Sequence, residues 1–299
     1  MRKIFLSLAL VASFVASAQL INVGAIEKVN LPAGVVASQT ATSPDGSFAI
    51  IHNDGGLSKV DLATGKTAKI AQSAAFLEVK ISEDGSTVVY REPSYQNNLR
   101  FTTLKSLNLN NGKVGTIVAP TRNLQGYALS KNSVGAVDNG KYTAKSLDNA
   151  APSLVTVASI KNGALYVSIN GVNNNISPQG AEGQSYLWPS ISPDGKQVLY
   201  YLSGTGAFVC NLDGSNAVFV GNMRAPKWID NSIVVGMDDR DNGENVTSSK
   251  LIAASADGRV KQDLTLDSSM AMYPSASADG SKLTFVTAGG ELFVMSINK

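Results

Sequence analysis

Cysteine, histidine and charge are all scarce in this 299-residue chain. Cys210 is its one cysteine and His52 its one histidine. A single cysteine excludes an intrachain disulfide, so the fold must be held by its core and not by covalent staples. One His and one Cys also leave a zinc site without its usual ligands, and histidine-rich metal centres of other kinds are disfavoured too. Charged residues make up 16% of the chain, against ~25% in ordinary soluble domains; Asn, Ser, Thr and Gly take up the polar role, which suits turn-rich β structure. No Pro-rich, Gly/Ser-rich or charge-rich linker divides the sequence. Basic and acidic residues are nearly balanced, 25 against 23, which gives no electrostatic footprint of a nucleic-acid binder and disfavours anionic membrane surfaces. A Gly-x-Ser-x-Gly nucleophile elbow is missing as well.

The lone residues read as structural. Cys210 lies in the strand-like run Ala207–Leu212 with no basic neighbour, so a buried, inert thiol is expected. His52 follows the apolar run Phe48–Ile51 and has no motif partner that would make it a catalytic base.

The first eighteen residues have the form of an export signal. Arg2-Lys3 form a basic start, Ile4 to Val15 an apolar stretch, and Ala16-Ser17-Ala18 a small-residue cleavage site before Gln19. The apolar stretch is shorter than the ~20 residues a bilayer span needs, so cleavage is expected and no span should remain afterwards. Taking Arg2 and Lys3 from the 25 basic residues leaves 23, equal to the 23 acidic ones. The expected products are a signal peptide over 1–18 and one domain over 19–299, periplasmic or secreted.

What the sequence does have is a repeated corner. Ser-Pro-Asp-Gly occurs at Ser43–Gly46 and again at Ser192–Gly195, with degenerate copies at Ser82-Glu83-Asp84-Gly85 and Ser277-Ala278-Asp279-Gly280. Proline fixes its own φ and glycine accepts φ > 0, so each corner reverses the chain between antiparallel strands. Weaker corners stand at Lys131-Asn132 and Asp230-Asn231. Most spacings are roughly 36 to 48 residues, the period of propeller repeats. The sequence therefore predicts an all-β fold, a six-bladed β-propeller of four-stranded antiparallel blades named A to D outward from the axis.

Blade four is the clearest, with strands at Trp188–Ser192, Gln197–Leu202, Ala207–Leu212 and Ala217–Val220. The last blade lacks a D strand at the C-terminus, and Gly24–Leu31 has no blade at the N-terminus; that segment is expected to close the ring by pairing there, removing an exposed edge. Between Asn132 and Gly195 only one corner serves 63 residues. One blade with an inserted hairpin (Val134–Val137 and Lys141–Leu147) is the first reading of this stretch, and two thin blades, seven in all, the alternative.

The pattern Trp188-Pro189-Ser190-Ile191-Ser192-Pro193-Asp194-Gly195-Lys196 followed by an apolar strand resembles the repeat of TolB-type propellers, shared with the N-terminal propeller of dipeptidyl-peptidase-like proteins. The resemblance covers most of residues 19–299, with two strong copies and about four weak ones. It implies a six-bladed propeller of the bacterial envelope that binds protein partners. TolB has an α/β domain ahead of its propeller, whereas here the first strand is expected directly after the export segment, so a Tol–Pal role is not carried over; nor is a hydrolase domain like that of the peptidase relatives expected after the last repeat.

Chain direction sorts the loops onto faces. A–B and C–D turns share one face and are short; B–C and D–A connections share the other and are uneven. The long ones are Arg91–Arg100, Asn139–Pro152 and Asp238–Ser249. Long loops on a rigid scaffold are the usual place for binding residues. The first positions of the A strands, Gln39, Glu78, Gly126, Trp188, Ala225 and Tyr273, should ring the channel mouth on that face. The candidate ligand-binding set is Gln39, Glu78, Arg91, Glu92, Trp188, Arg224, Asp238, Arg240, Asp241 and Tyr273. No catalytic residue and no cofactor is assigned. Asp239, Asp241 and Glu244 form the densest acidic segment, but their spacing misses a calcium loop, and a solvated hairpin is the simpler account. Asn175-Ile176-Ser177 and Asn245-Val246-Thr247 match the glycosylation sequon by chance. The expected function is non-catalytic binding of an envelope protein or glycan. The rival is a hydrolase or lyase using mouth carboxylates such as Glu78, Glu92 and Asp238.

Overall fold

The computed structural model describes residues 19–75, 78–148, 150–180 and 182–298; the expected export segment lies outside them. After a first strand β1 (Asn22–Lys28), blade 1 comprises β2 (Gln39–Thr42), β3 (Phe48–Asn53), β4 (Gly56–Asp61) and β5 (Thr67–Ala71). Blade 2 has β6 (Lys80–Ile81), β7 (Thr87–Gln96), β8 (Leu99–Asn108) and β9 (Val114–Thr121). Two three-stranded blades follow: β10 (Leu124–Ser130), β11 (Ser133–Asp138) and β12 (Lys141–Ser146), then β13 (Val157–Lys161), β14 (Ala164–Ile169) and β15 (Val172–Asn175). Blade 5 is β16 (Tyr186–Ile191), β17 (Gln197–Leu202), β18 (Gly206–Asn211) and β19 (Val218–Gly221). Blade 6 is β20 (Arg224–Trp228), β21 (Ile233–Asp241), β22 (Val246–Ser255) and β23 (Lys261–Asp263). Blade 7 is β24 (Ala271–Ala276), β25 (Lys282–Thr287) and β26 (Leu292–Asn298), with β1 as its fourth strand.

The propeller thus has seven blades, and the expectation of six is corrected in favour of the alternative. The reason lies in the thin pair. Leu147 N–H bonds to the Asn132 carbonyl, so β12 ends at the corner face; Tyr186 N–H at the start of β16 bonds to the carbonyl of Gly163 in the β13–β14 turn, so that turn lies at the mouth face and β13 runs toward it from the corner face. Blade 4 therefore lacks an inner strand and begins with a second strand. Without an inner strand it has no A–B corner, so corners count six while sheets number seven. Gly126 on β10 makes the pair compact: a Cβ there would lie 2.6 Å from the Ala158 carbonyl oxygen on β13.

The corners are built identically. The Ser43 hydroxyl donates to Asp45 Oδ1 (2.8 Å) and accepts the Phe48 N–H (3.0 Å). Ser82 with Thr87, Ser192 with Gln197 and Ser277 with Lys282 repeat this. These serines are buried because each hydroxyl satisfies the first N–H of a second strand, which has no other partner. The lock also recurs at Ser255-Ala256-Asp257-Gly258, between the third and fourth strands of blade 6, a copy the corner spacing had not selected.

Second strands are buried almost throughout, as in Phe48-Ala49-Ile50-Ile51, because blades pack on both of their faces. The core lies between blades. Ala49, Ile51 and Val60 of blade 1 meet Val286, Leu292 and Val294 of blade 7; Val198, Tyr200 and Cys210 of blade 5 meet Leu165 and Val167 of blade 4. Cys210 is buried as expected, and burial pushes its thiol up to about 12, with the Asp213 charge adding to it. The N-terminal closure is present: β1 pairs antiparallel with β26, Asn22 opposite Asn298 and Lys28 opposite Phe293. The last edge strand is thereby covered.

Candidate functional site

A channel of about 910 Å³ runs along the inner strands from the mouth face to the corner face. Its wall includes Gln39 and His52 of blade 1, Glu78 and Lys80 of blade 2, Trp188 of blade 5, Ala225 and Lys227 of blade 6 and Tyr273 of blade 7.

The inner strands start in an unusual way. Glu78, Trp188, Ala225 and Tyr273 all have left-handed backbones, with φ of 68°, 47°, 47° and 50°. This conformation is strained for bulky residues. At the last three the pairing register slips, between Leu187 and Ser190, Arg224 and Lys227, and Met272 and Ser275. Each is a bulge, and each is followed by proline (Pro189, Pro226, Pro274). Bulges re-aim side chains where regular pleating would not place them. Here they turn the Trp188 and Tyr273 rings onto the channel wall. Trp188 also packs against Tyr201, ring centroids 5.3 Å apart.

The charges of the mouth are mostly paired. Arg91 Nη2 lies 2.8 Å from Glu78 Oε2, both half-buried, which confirms that the outgoing end of a second strand and the start of an inner strand share one face. That contact is an ion pair not aligned as a hydrogen bond, and Arg91 Nε is buried without an acceptor. Glu92 pairs with Lys105. Arg224 donates to Asp239 Oδ2 at 2.7 Å, and the Asp239 side chain is 1% exposed. Burial raises the Asp239 carboxyl, against the pull of Arg224. Burial likewise raises the Tyr273 hydroxyl, with Arg224 and Asp239 close enough to act on it. His52 donates from Nε2 to the Ala74 carbonyl (3.1 Å).

Deeper in the channel the lysines differ. Lys227 keeps open surface, but that surface faces an enclosure of protein; its ammonium is pushed down to about 8, by desolvation first and then by Lys80, with Glu78 opposing. Lys80 is also lowered by desolvation and lies over the face of the buried Tyr127, 5.6 Å from its centroid. Desolvation and the Glu78 charge push the Tyr127 hydroxyl upward.

Of the ten candidates, Gln39, Glu78, Trp188 and Tyr273 line the channel. Arg91 joins them through Glu78, and Arg224 approaches Tyr273. Glu92 is held by Lys105. Asp238, Arg240 and Asp241 are not on the channel wall; they extend along β21 in a long hairpin with β22. Arg91–Arg100, expected as a loop, is the end of a hairpin between β7 and β8, turning at Asn97-Asn98, while the expected hairpin of Val134–Val137 with Lys141–Leu147 is present as β11 and β12 of blade 3. Lys80 and Lys227 were missed because a lysine in a strand pattern reads as solvent-facing. Their signal was positional: each stands two residues past a mouth position. Asp239, Asp241 and Glu244 do not converge, and among the described residues no group of three or more His, Cys, Asp or Glu side chains is arranged to hold a metal ion.

No family model matches the chain, and no curated protein matches it in sequence. Solved structures do match in fold. The oligogalacturonate lyase of Vibrio parahaemolyticus is 13% identical, with TM-score 0.56 over 92% of this chain and 94% of that one. A putative TolB from Agrobacterium tumefaciens is 17% identical, with TM-score 0.56 over 92% and 97%. A chain of the mitotic checkpoint complex is 12% identical, with TM-score 0.63 over the whole of both. The likeness is one of fold. This chain is a β-propeller.

Proposed function

We propose that this protein is an exported, non-catalytic binding propeller of the cell envelope, and that a protein or glycan partner engages its mouth face. The reading rests on the convergence of Gln39, Glu78, Trp188 and Tyr273, from four different blades, on one channel. Aromatic rings with polar edges, set on strained bulges, make anchoring points that a scaffold would not otherwise need. Residues 1–18 supply the export signal in this reading. A propeller within the mitotic checkpoint complex offers a precedent for assembly with protein partners.

The enzymatic alternative has less behind it. Glu78 and Glu92 each face a cation, and Asp238 stands on a hairpin away from the channel. Capture of partners from an envelope extract, with glycan arrays alongside, tests the binding reading. Joint Trp188→Ala and Tyr273→Ala substitution is expected to weaken capture at least tenfold, about 1.4 kcal/mol. Lys66→Ala with Asn216→Ala, on the corner face, should leave it intact. Equal capture by both pairs, or turnover of a captured candidate, would refute the proposal.

A further inference from the structure

Two lysines face the channel without a matching acid. Lys80 comes from blade 2 and Lys227 from blade 6, on walls separated by blades 7 and 1 on one side and blades 3 to 5 on the other. Among the described residues neither ammonium has a carboxylate within ion-pair distance or a hydrogen-bond acceptor; the Tyr127 ring face is the contact Lys80 makes. The acids of the wall are already engaged. Glu78 is held by Arg91, and Glu83 at the corner end accepts the Lys131 N–H at 2.8 Å. Counting Lys80, Lys227 and Arg91 against Glu78 and Glu83, the channel and its rim carry one excess positive charge. Both lysines lie on the wall of one channel, and there the two like charges bear on each other.

We propose that the channel binds an oxyanion, the carboxylate or phosphate group of a small organic molecule, between Lys80 and Lys227. The proposal rests on the channel being the binding site and adds the chemistry of what enters it. An oxyanion offers several acceptors to two ammonium groups with three donors each, and its charge removes the surplus. The volume of about 910 Å³ falls in the range that holds a small molecule, about 300–1,000 Å³. The rings of Trp188 and Tyr273, nearer the mouth, would then cover the rest of the ligand.

The test uses the full chain with citrate, inorganic phosphate and, as an uncharged control, glycerol. Acetylation of individual lysines near pH 8 is followed by peptide mass spectrometry. Citrate or phosphate is expected to protect Lys80 and Lys227 saturably and to leave Lys66 unprotected, with glycerol inert. Protection by one anion alone identifies which group the site takes. Lys80→Met should weaken the protection of Lys227 at least tenfold, whereas Lys80→Arg, which keeps the charge, should preserve most of it. Absence of protection by either anion, or equal protection in Lys80→Met, overturns the proposal. If partner capture still depends on Trp188 and Tyr273 in that event, the mouth reading survives alone. Lysine-dependent protection without any such capture leaves the oxyanion site standing and removes the mouth reading.

Discussion

Replacing Ser43 by alanine probes the device that holds the blades in shape. Its hydroxyl is fully buried and makes two bonds, to Asp45 Oδ1 and from the Phe48 N–H. Alanine leaves that N–H buried with no acceptor, at a cost of about 1–3 kcal/mol, and removes a charge-assisted bond of comparable size. Asp45 retains the Ser47 N–H and hydroxyl, so the two losses overlap. We expect a total near 3 kcal/mol and a fall in Tm of roughly 6 °C or more. Ser47→Ala serves as the control. It is exposed and also bonded to Asp45, but its loss strands no buried group, so its effect should stay below about 1 kcal/mol. Thermal unfolding by circular dichroism, with urea titration, measures both. Equal stability of the two variants would refute the claim that the corner works by satisfying the second strand, and would reduce the serine to a turn former.

Two further outcomes follow from the same geometry. Deleting residues 22–28 uncovers the edge of β26 and should lower Tm and promote aggregation; unchanged Tm and solubility would show that closure is not needed. Acid should also destabilise the protein. In Asp45, Asp84 and Asp194, hydrogen bonds from corner residues hold the carboxyls below their ordinary range. In Asp279, burial opposes the same bonds and is outweighed. A carboxyl depressed in the folded state stabilises above its unfolded pKa, and that contribution is lost as pH falls through the folded value. Tm should therefore drop below about pH 4, and less steeply after Asp45→Asn and Asp194→Asn; an identical acid limb would exclude the corners as its source.

Much of the site was legible in part. The alignment on corners placed Gln39, Glu78, Trp188 and Tyr273 at mouth positions, because the corner sets where each inner strand ends and its length sets where it starts. The prolines after Trp188 and Tyr273 were visible too. That they mark bulges with left-handed backbones was not, since a proline in a strand reads equally as an edge or a bend. Arg91 and Glu92 were taken for loop residues, although the run Thr87–Gln96 pairs throughout with Leu99–Asn108. Hairpin length depends on cross-strand pairing, which polar strand segments such as Arg91–Gln96 do not advertise.

From the sequence alone came the all-β class, the repeat, the chain reversal at each Ser-x-Asp-Gly corner and the closure by the N-terminal strand. These are local or periodic features, fixed by turn chemistry and by alternation over a few residues. The tertiary structure decided the number of blades, because blade 4 lacks the inner strand that would have produced a corner. It also decided which charges are matched. Arg91 finds Glu78 within blade 2, Arg224 finds Asp239 within blade 6, and among the described residues Lys80 and Lys227 form no ion pair. The two pairs form inside single blades, between an inner strand and the second strand beside it, whereas only the closing of the ring brings Lys80 of blade 2 and Lys227 of blade 6 onto one channel.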